Sequence, residues 1–256
     1  MSAADASADD VVAFADTLHH DGHPNPTICR KVEALRTFFN FLTHEKIVAH
    51  DPTRHIAMPP YLRELPTPLT PMDVRGIINS IRGEDFFSVR DRAIIEMLNE
   101  TGIKVGELTA LSVKDVDLEK NEICARGARG RVRYVNIGEV AHHALSPLVE
   151  HRKDSVEALF CNKNRGRLTQ RSVNRILAKR ADAAGLGDLG ISAQTFRHTT
   201  TMRLMAEGKS LKEIRERMGH AEDGSLCVSC ITITGSRLGA TDAGLGEVSQ
   251  VFQRSR

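Results

Sequence analysis

Two short stretches of the sequence concentrate arginine and lysine, the residue types that bind phosphate groups. The first is the run RGARGRVR, which carries Arg126, Arg129, Arg131 and Arg133 on a predicted hairpin turn and its returning strand. The second extends from residue 163 to residue 180 and holds seven basic residues and no acidic one. Because arginine can donate two hydrogen bonds to one phosphate, both stretches are candidates for contact with a nucleic-acid backbone.

The spacing within the second stretch places part of its charge on one helical face. Arg171, Arg175 and Lys179 recur every four residues, while Val173 and Leu177 lie on the other face. A solvated surface is the simpler interpretation, but such faces usually mix charges of both signs. A single sign favours a surface that follows phosphates. The candidate DNA-binding residues are therefore Arg126, Arg129, Arg131, Arg133, Arg165, Arg167, Arg171, Arg175 and Lys179.

The composition excludes several classes of protein. With 41% hydrophobic and 27% charged residues, the sequence is close to the average soluble protein, so a wholly disordered, collagen-like or coiled-coil chain is excluded. No apolar run approaches the roughly 18–20 residues that span a bilayer, and the first residues are acidic where a signal peptide is basic. We therefore expect a cytoplasmic protein with no membrane partner.

The cysteines predict neither a disulfide framework nor a metal site. There are five of them, an odd number that is widely scattered in a chain without an export signal, which favours reduced thiols. Cys227 and Cys230 form a C-x-x-C pair shortly after His220, but one such pair without a second is weak support for zinc. We expect no metal and no cofactor.

The N-terminal part of the chain predicts a small helical domain. Apolar periodicity predicts helices over residues 11–18 and 27–44, separated by a segment that is rich in glycine and proline. The aromatic residues Phe38, Phe39 and Phe41 lie in the second helix. We interpret them as core residues and not as a surface that stacks on bases.

A proline-rich linker follows and divides the chain. Six of the nine prolines lie between residues 51 and 71, where they disfavour helix and keep the backbone extended. Thr70 as N-cap and Pro71 at the first helical position predict that helix resumes there. We expect a small helical domain over residues 1–62 and a larger domain over residues 63–224.

The larger domain is predicted to be mostly helical with one small sheet. Predicted helices cover residues 90–100, 105–111, 139–151, 170–184, 193–206 and 211–218, and predicted strands cover residues 116–118, 122–125 and 132–137. Gly219 is the expected end of the last helix. Residues 225–256 are rich in glycine, serine and threonine without a helical period, so we expect an atypical, irregular tail.

Two segments of this domain resemble tyrosine recombinases, the phage integrase family, in its Xer-like branch. The first begins at Arg90 and contains TGIKVGEL, a DVD strand and the hairpin RGARGRVR, where the family has T-G-[LI]-R-V-x-E-L, D-[IV]-D and a basic hairpin. The second, ISAQTFRHTTTMRLMAEGKSLKEIRERMGH, is similar to the family's H-x-L-R-H-[ST] box and its L-G-H end. The resemblance implies a mostly α fold with a small antiparallel sheet, preceded by a truncated helical core-binding domain.

The resemblance also implies a chemistry on double-stranded DNA that needs no metal. In the family, a tyrosine attacks a DNA phosphate, two arginines stabilise the charge on its oxygens, a hairpin lysine protonates the leaving oxygen, and histidines assist proton transfer. The matching positions here are Lys104, Ala128, Gln194, Arg197, His198 and His220. Arg197, His198 and His220 are retained. Lys104 keeps a positive charge without arginine's two-donor fork, whereas Ala128 and Gln194 cannot titrate.

The nucleophile is the largest departure from the family. Its position falls on Ser229, and the two tyrosines of the sequence, Tyr61 and Tyr134, match no family nucleophile. Three interpretations stay open. In the first, the chain is an inactive DNA-binding protein that acts with itself or with an intact recombinase. In the second, it is an active recombinase or integrase of a mobile element with an unrecognised nucleophile. In the third, it is a gene remnant that folds poorly.

Overall fold

The computed structural model describes residues 5–58, 67–127, 130–150 and 156–219. The chain divides into two compact units, residues 1–64 and residues 65–256. Each unit has hydrophobic clusters of its own. The described residues are mostly helical and include one three-stranded antiparallel sheet, which confirms the predicted fold class.

The first unit is built on two helices, α1 (Ala8–His20) and α2 (Asn25–His44), at the places where the periodicity predicts them. The helices pack against each other through a cluster of Leu18, Ile28 and Val32. A second cluster joins Phe39 and Leu42 to Val48, beyond the end of α2. The amphipathic face of α2 therefore forms the core of this unit.

Two of the three aromatic residues of α2 lie outside that core. Phe39 is 5% exposed, but Phe38 and Phe41 are 46% and 57% exposed, so the prediction that all three are core residues is wrong for two of them. Successive residues of a helix point about 100° apart, so one apolar face cannot bury positions 38, 39 and 41 together. Phe39 shares its face with Leu42, three residues later.

The second unit contains seven α-helices in its described residues. They are α3 (Pro71–Asn79), α4 (Phe86–Thr101), α5 (Val105–Ala110), α6 (Glu139–Glu150), α7 (Gln170–Ala183), α8 (Ala193–Ala206) and α9 (Leu211–Met218). The predicted start of α3 is confirmed, because the Thr70 hydroxyl accepts a hydrogen bond from the Asp73 backbone N–H, and the Asp73 carboxylate accepts one from the Thr70 backbone N–H.

Helix α4 forms the centre of this unit and packs against α6 and α8. Its residues Ala93, Ile94, Ile95, Met97 and Leu98 are all completely buried. A helix that is apolar on several sides must be covered on several sides, and its neighbours provide that cover. The helix ends at Gly102, whose φ of 59° is accessible to glycine at little cost.

The sheet consists of β1 (Val116–Asp117), β2 (Glu122–Arg126) and β3 (Val132–Asn136) in that order, all antiparallel. In the β2–β3 hairpin, Arg126 pairs with Val132 and Ala125 pairs with Arg133. Ile123 and Ala125 of β2 are buried and point into the core. The hairpin packs next to α5, and its residues Arg126 and Arg131 are exposed.

No helix in the described ranges is long and apolar enough to cross a membrane. Cys29, Cys124 and Cys161 form no disulfide with one another. The C-x-x-C pair of Cys227 and Cys230 and the predicted tail of residues 225–256 lie outside the described residues.

Candidate nucleic-acid interface

Helix α8 carries three of the candidate site residues on one face of its first two turns. The Ser192 hydroxyl caps the helix by accepting a hydrogen bond from the Thr195 backbone N–H. Gln194, Arg197 and His198 follow at the spacing i, i+3 and i+4, which places them side by side. Gln194 is exposed, whereas Arg197 and His198 are only 8% and 5% exposed.

Arg197 is held by backbone carbonyl groups at the ends of two other helices. Its Nη1 donates to the Gly102 carbonyl at 2.6 Å, and its Nη2 donates to the Met218 carbonyl at 2.6 Å. Burial lowers the pKa of Arg197 to about 10, although the Glu107 carboxylate opposes the shift. The guanidinium therefore remains charged at neutral pH, and its position is fixed by α4 and α9.

Lys104 lies at the N-terminus of α5, as the turn TGIKVGEL predicts. Its Nζ donates to the Gly219 carbonyl at 2.7 Å, and its backbone N–H donates to the Glu107 carboxylate at 3.1 Å. Desolvation lowers the pKa of Lys104; Glu107 opposes this shift, while Arg197, Arg133 and Arg131 reinforce it. Like-charged neighbours thus surround this ammonium group.

Glu107 is a buried carboxylate, 4% exposed, that faces these cations. Arg133 binds it with two hydrogen bonds, from Nη2 at 2.8 Å and from Nε at 3.3 Å. Burial by itself raises the pKa of Glu107, but the hydrogen bond and charge of Arg133 bring the pKa below its ordinary value. Glu107 is therefore ionised at neutral pH. We call Lys104, Arg133 and Arg197, with Glu107 among them, the cationic cluster.

The end of α9 meets all three cations of the cluster. Arg133 donates to the Arg217 carbonyl at 2.8 Å, and the next two carbonyls, of Met218 and Gly219, accept from Arg197 and Lys104. The last carbonyls of a helix have no partner within the helix and carry the negative end of its dipole. Three side chains from α5, β3 and α8 therefore converge on consecutive residues of one helix terminus.

The basic hairpin contributes its arginines unequally. Arg126 pairs with the buried Asp115 carboxylate at 2.6 Å, and Arg133 belongs to the cationic cluster. Arg131 is exposed at the tip. Ala128 and Arg129 lie outside the described residues.

The second basic stretch likewise contains both exposed residues and a residue that is bound within the protein. Arg171, Arg175 and Lys179 are exposed along one face of α7, as the four-residue spacing predicts, and Arg165 is exposed in the preceding turn. Arg167 donates to the carbonyls of Thr109 and Leu111 and to the Ser112 hydroxyl, so its guanidinium is engaged within the protein. The exposed arginines and lysine remain available to an external anion.

Three of the predicted catalytic positions are not described, and the acceptors that hold the cluster carry no sequence signal. Ala128, His220 and Ser229 lie outside the described residues. The carbonyls of residues 217–219 bind the cluster, but no sequence motif marks them because every residue has a carbonyl. Glu107, which is not among the predicted site residues, is the shared counter-charge of the cluster.

The chain is similar in sequence to known recombinases. Residues 68–228 match the family described as the phage integrase family. Tyrosine recombinase XerC of Roseiflexus castenholzii is 37% identical over 225 residues, which cover 84% of this chain and 71% of that protein. Tyrosine recombinase XerD of Halalkalibacterium halodurans is 30% identical over 227 residues, covering 86% and 76%.

A solved structure has the same fold. The Tn1549 transposon integrase, residues 82–397, in complex with circular intermediate DNA, is similar with a TM-score of 0.74 at 20% identity. The likeness covers 97% of this chain and 86% of that one. At this identity the comparison concerns the fold alone.

Proposed function

The chain belongs to the phage integrase family, and from this membership we propose that it binds double-stranded DNA without forming a covalent bond to it. The observation that supports the proposal is the cationic cluster, in which Lys104 and Arg197 occupy the two family positions that contact a phosphate. The sequence has a serine, Ser229, where the family has its nucleophile. Charge for binding is thus retained, and the group that attacks the phosphate is replaced.

The cluster suits a phosphodiester because its cations are held on rigid elements. The Arg197 guanidinium is anchored by the ends of α4 and α9, and the Lys104 ammonium group by the Gly219 carbonyl, so neither side chain has to be ordered when DNA binds. The exposed Arg131 and the exposed face of α7 extend the positive charge toward neighbouring phosphates. These contacts bind the backbone of DNA and carry no information about its base sequence.

Two substitutions argue against strand cleavage. A serine hydroxyl is a weak nucleophile unless a base activates it, and its side chain is far shorter than that of tyrosine, so Ser229 is a poor substitute. Ala128 replaces the lysine that protonates the leaving oxygen, and an arginine such as the adjacent Arg129 is a poor proton donor at neutral pH. Both the attacking group and the acid are therefore missing from their family positions.

An active recombinase is the second candidate. The chain retains Arg197, His198 and His220 at their family positions. The relatives from Roseiflexus castenholzii and Halalkalibacterium halodurans are named tyrosine recombinases. This alternative requires a nucleophile at a position that differs from the family's. Detection of a covalent protein–DNA adduct separates the two candidates.

The experiment combines a binding assay with a search for adducts. The purified chain is titrated with duplex DNA at several salt concentrations, and nicked suicide substrates from the same mixtures are run on a denaturing gel. We expect binding that weakens steeply with salt and no adduct. An adduct would establish the active recombinase, and a folded chain that binds no DNA would reject both candidates in favour of a gene remnant.

Residues 1–62 would form the first of two DNA-binding domains, residues 63–224 the second, and residues 225–256 a tail without the family's nucleophile. The protein would act on DNA in the cytoplasm, by itself, with a second copy, or beside an intact recombinase. A shared DNA site provides the simplest means by which an inactive relative affects an active one.

A further inference from the structure

Arg133, on the returning strand of the basic hairpin, directs its whole guanidinium into the protein. All three nitrogen atoms of its guanidinium donate hydrogen bonds within the protein, Nε and Nη2 to the Glu107 carboxylate and Nη1 to the Arg217 carbonyl. Its side chain is 19% exposed. On β3 it shares a face with the buried Val135, whereas Tyr134 on the opposite face is 71% exposed.

These contacts join three separate elements. Arg133 lies on β3, Glu107 on α5, and Arg217 in the last turn of α9. The next two carbonyls of α9 accept from Arg197 and Lys104, so the three cations hold consecutive positions of the same helix end. A shift of the Arg217 carbonyl would also displace the two following carbonyls, because the three residues are consecutive at the end of α9 and its C-cap.

We infer that Arg133 is a positioning residue that fixes the end of α9 against Glu107, and through it the orientation of Lys104 and Arg197. This inference rests on the proposed function only for the consequence that the two oriented cations bind a DNA phosphate. It reassigns Arg133 from the expected DNA contacts to the support of that site. Arg131, two residues earlier in the same hairpin, keeps its place among the DNA contacts.

The geometry specifically requires arginine at this position. A guanidinium can bind a carboxylate with two donors and still direct a third nitrogen elsewhere, while lysine has one ammonium group on a flexible stem. Gly219 supports the same arrangement, since a Cβ at this residue would clash with Arg133 Nε and its φ is 63°. Arg133 and Gly219 thus form a complementary pair at the helix terminus.

The test measures amide hydrogen exchange of the full-length chain without DNA, for the wild type, Arg133→Lys, Arg133→Ala and the control Arg131→Ala. In both Arg133 variants we expect exchange in a peptide covering residues 211–219 to be about tenfold faster, the size expected for loss of a charged hydrogen bond. Exchange in α4 and α6 should not change. Arg131→Ala should leave α9 protected, and Arg133→Lys should fail to rescue it although the charge is kept.

Three outcomes would overturn the inference. Normal protection of residues 211–219 in Arg133→Lys would show that charge alone is required. Equal acceleration throughout the second unit would show a general loss of stability and no specific positioning role. Unchanged α9 exchange together with a weaker salt dependence of DNA binding in Arg133→Ala, as in Arg131→Ala, would show that Arg133 contacts a phosphate.

The design separates this inference from the proposed function. If no variant and no wild-type protein binds DNA, the proposed function fails while the exchange data still decide the role of Arg133. If Arg133→Ala does not fold, Arg133→Lys carries the test because it retains the positive charge opposite Glu107. If α9 behaves as expected, we further expect DNA affinity to fall in Arg133→Lys, because Lys104 and Arg197 lose their fixed orientation.

Discussion

At the scale of single residues, the site depends on one buried negative charge. A carboxylate that is only 4% exposed is costly unless it is paired, and Glu107 is paired with Arg133 and with the backbone N–H of Lys104. It also offsets the repulsion among three cations that meet at the end of α9. Glu107 therefore allows positive charge to be concentrated there without unfolding the site.

This role predicts a pH-dependent loss of stability in Glu107→Gln. The pKa of Glu107 lies below its ordinary value in the folded protein. Ionised Glu107 therefore stabilises the fold above the unfolded-state pKa of about 4.3. This stabilisation is lost as the pH falls through the folded-state pKa. We expect the variant to lose about 3 kcal/mol of unfolding free energy at pH 7, typical of breaking a buried ion pair. The difference from the wild type should shrink on acidification.

Urea denaturation at several pH values measures this difference. Glu157→Gln is the matched control, because Glu157 is an exposed partner of Lys114 and such pairs contribute little. A stability difference for Glu107→Gln that is the same at pH 7 and at strongly acidic pH would contradict the assignment. So would a loss no larger than that of the control.

The sequence predicts individual site residues better than it predicts their contacts. Lys104 and Arg197 are found from their motifs, and the structure brings both to the same helix end. What the motifs do not contain is the pairing across the chain, since Lys104 is 115 residues from Gly219 and Arg133 is 84 residues from Arg217. Such contacts depend on how the elements pack. Because every residue has a backbone carbonyl, the residue type does not indicate which carbonyls accept these hydrogen bonds.

At the scale of elements, α7 is the helix that we expect to contact DNA. Its apolar residues Val173 and Leu177 are buried in the unit, which leaves the opposite face to solvent. That face carries Arg171, Arg175 and Lys179, all exposed. A helix that is fixed on one side by its core and positively charged on the other can follow a DNA backbone as a rigid unit.

The double variant Arg171→Ala/Arg175→Ala tests this surface. Each phosphate contact that is lost should reduce the slope of log affinity against log salt by about 0.9. We therefore expect weaker binding and a shallower slope in a titration across salt concentrations. Arg75→Ala, at an exposed arginine of α3, serves as the control and should leave the slope unchanged. An unchanged slope in the double variant would exclude α7 from the interface.

Helix starts and ends could be predicted where they depend only on neighbouring residues in the sequence. The start of α3 at Thr70 and Pro71 and the end of α9 at Gly219 follow from capping chemistry that involves only neighbouring residues. Phe38 and Phe41 show the limit of this approach, because hydrophobicity does not specify which face of α2 meets the core. That choice depends on α1 and on the segment around Val48, which approach from one side.

At the scale of the whole molecule, the chain has two compact units, each with its own hydrophobic clusters. The first unit carries exposed basic residues such as Arg30 and Lys31 on α2, and the second carries the cationic cluster and α7. If both units contact the same duplex, the linker between them makes the second contact intramolecular. Affinity then rises through effective concentration without any new contact.

The last prediction compares the full chain with residues 65–256 alone. The fragment includes the whole larger hydrophobic cluster, so we expect it to fold, which circular dichroism can verify. Its affinity for duplex DNA should be at least about tenfold weaker than that of the full chain, because linked binding units commonly gain that much or more. Adding residues 1–64 as a separate fragment should not restore the affinity, since mixing supplies the contacts but not the covalent connection between the units.

Equal affinity of the folded fragment and the full chain would show that the first unit is dispensable for binding, and DNA recognition would then rest on the second unit alone.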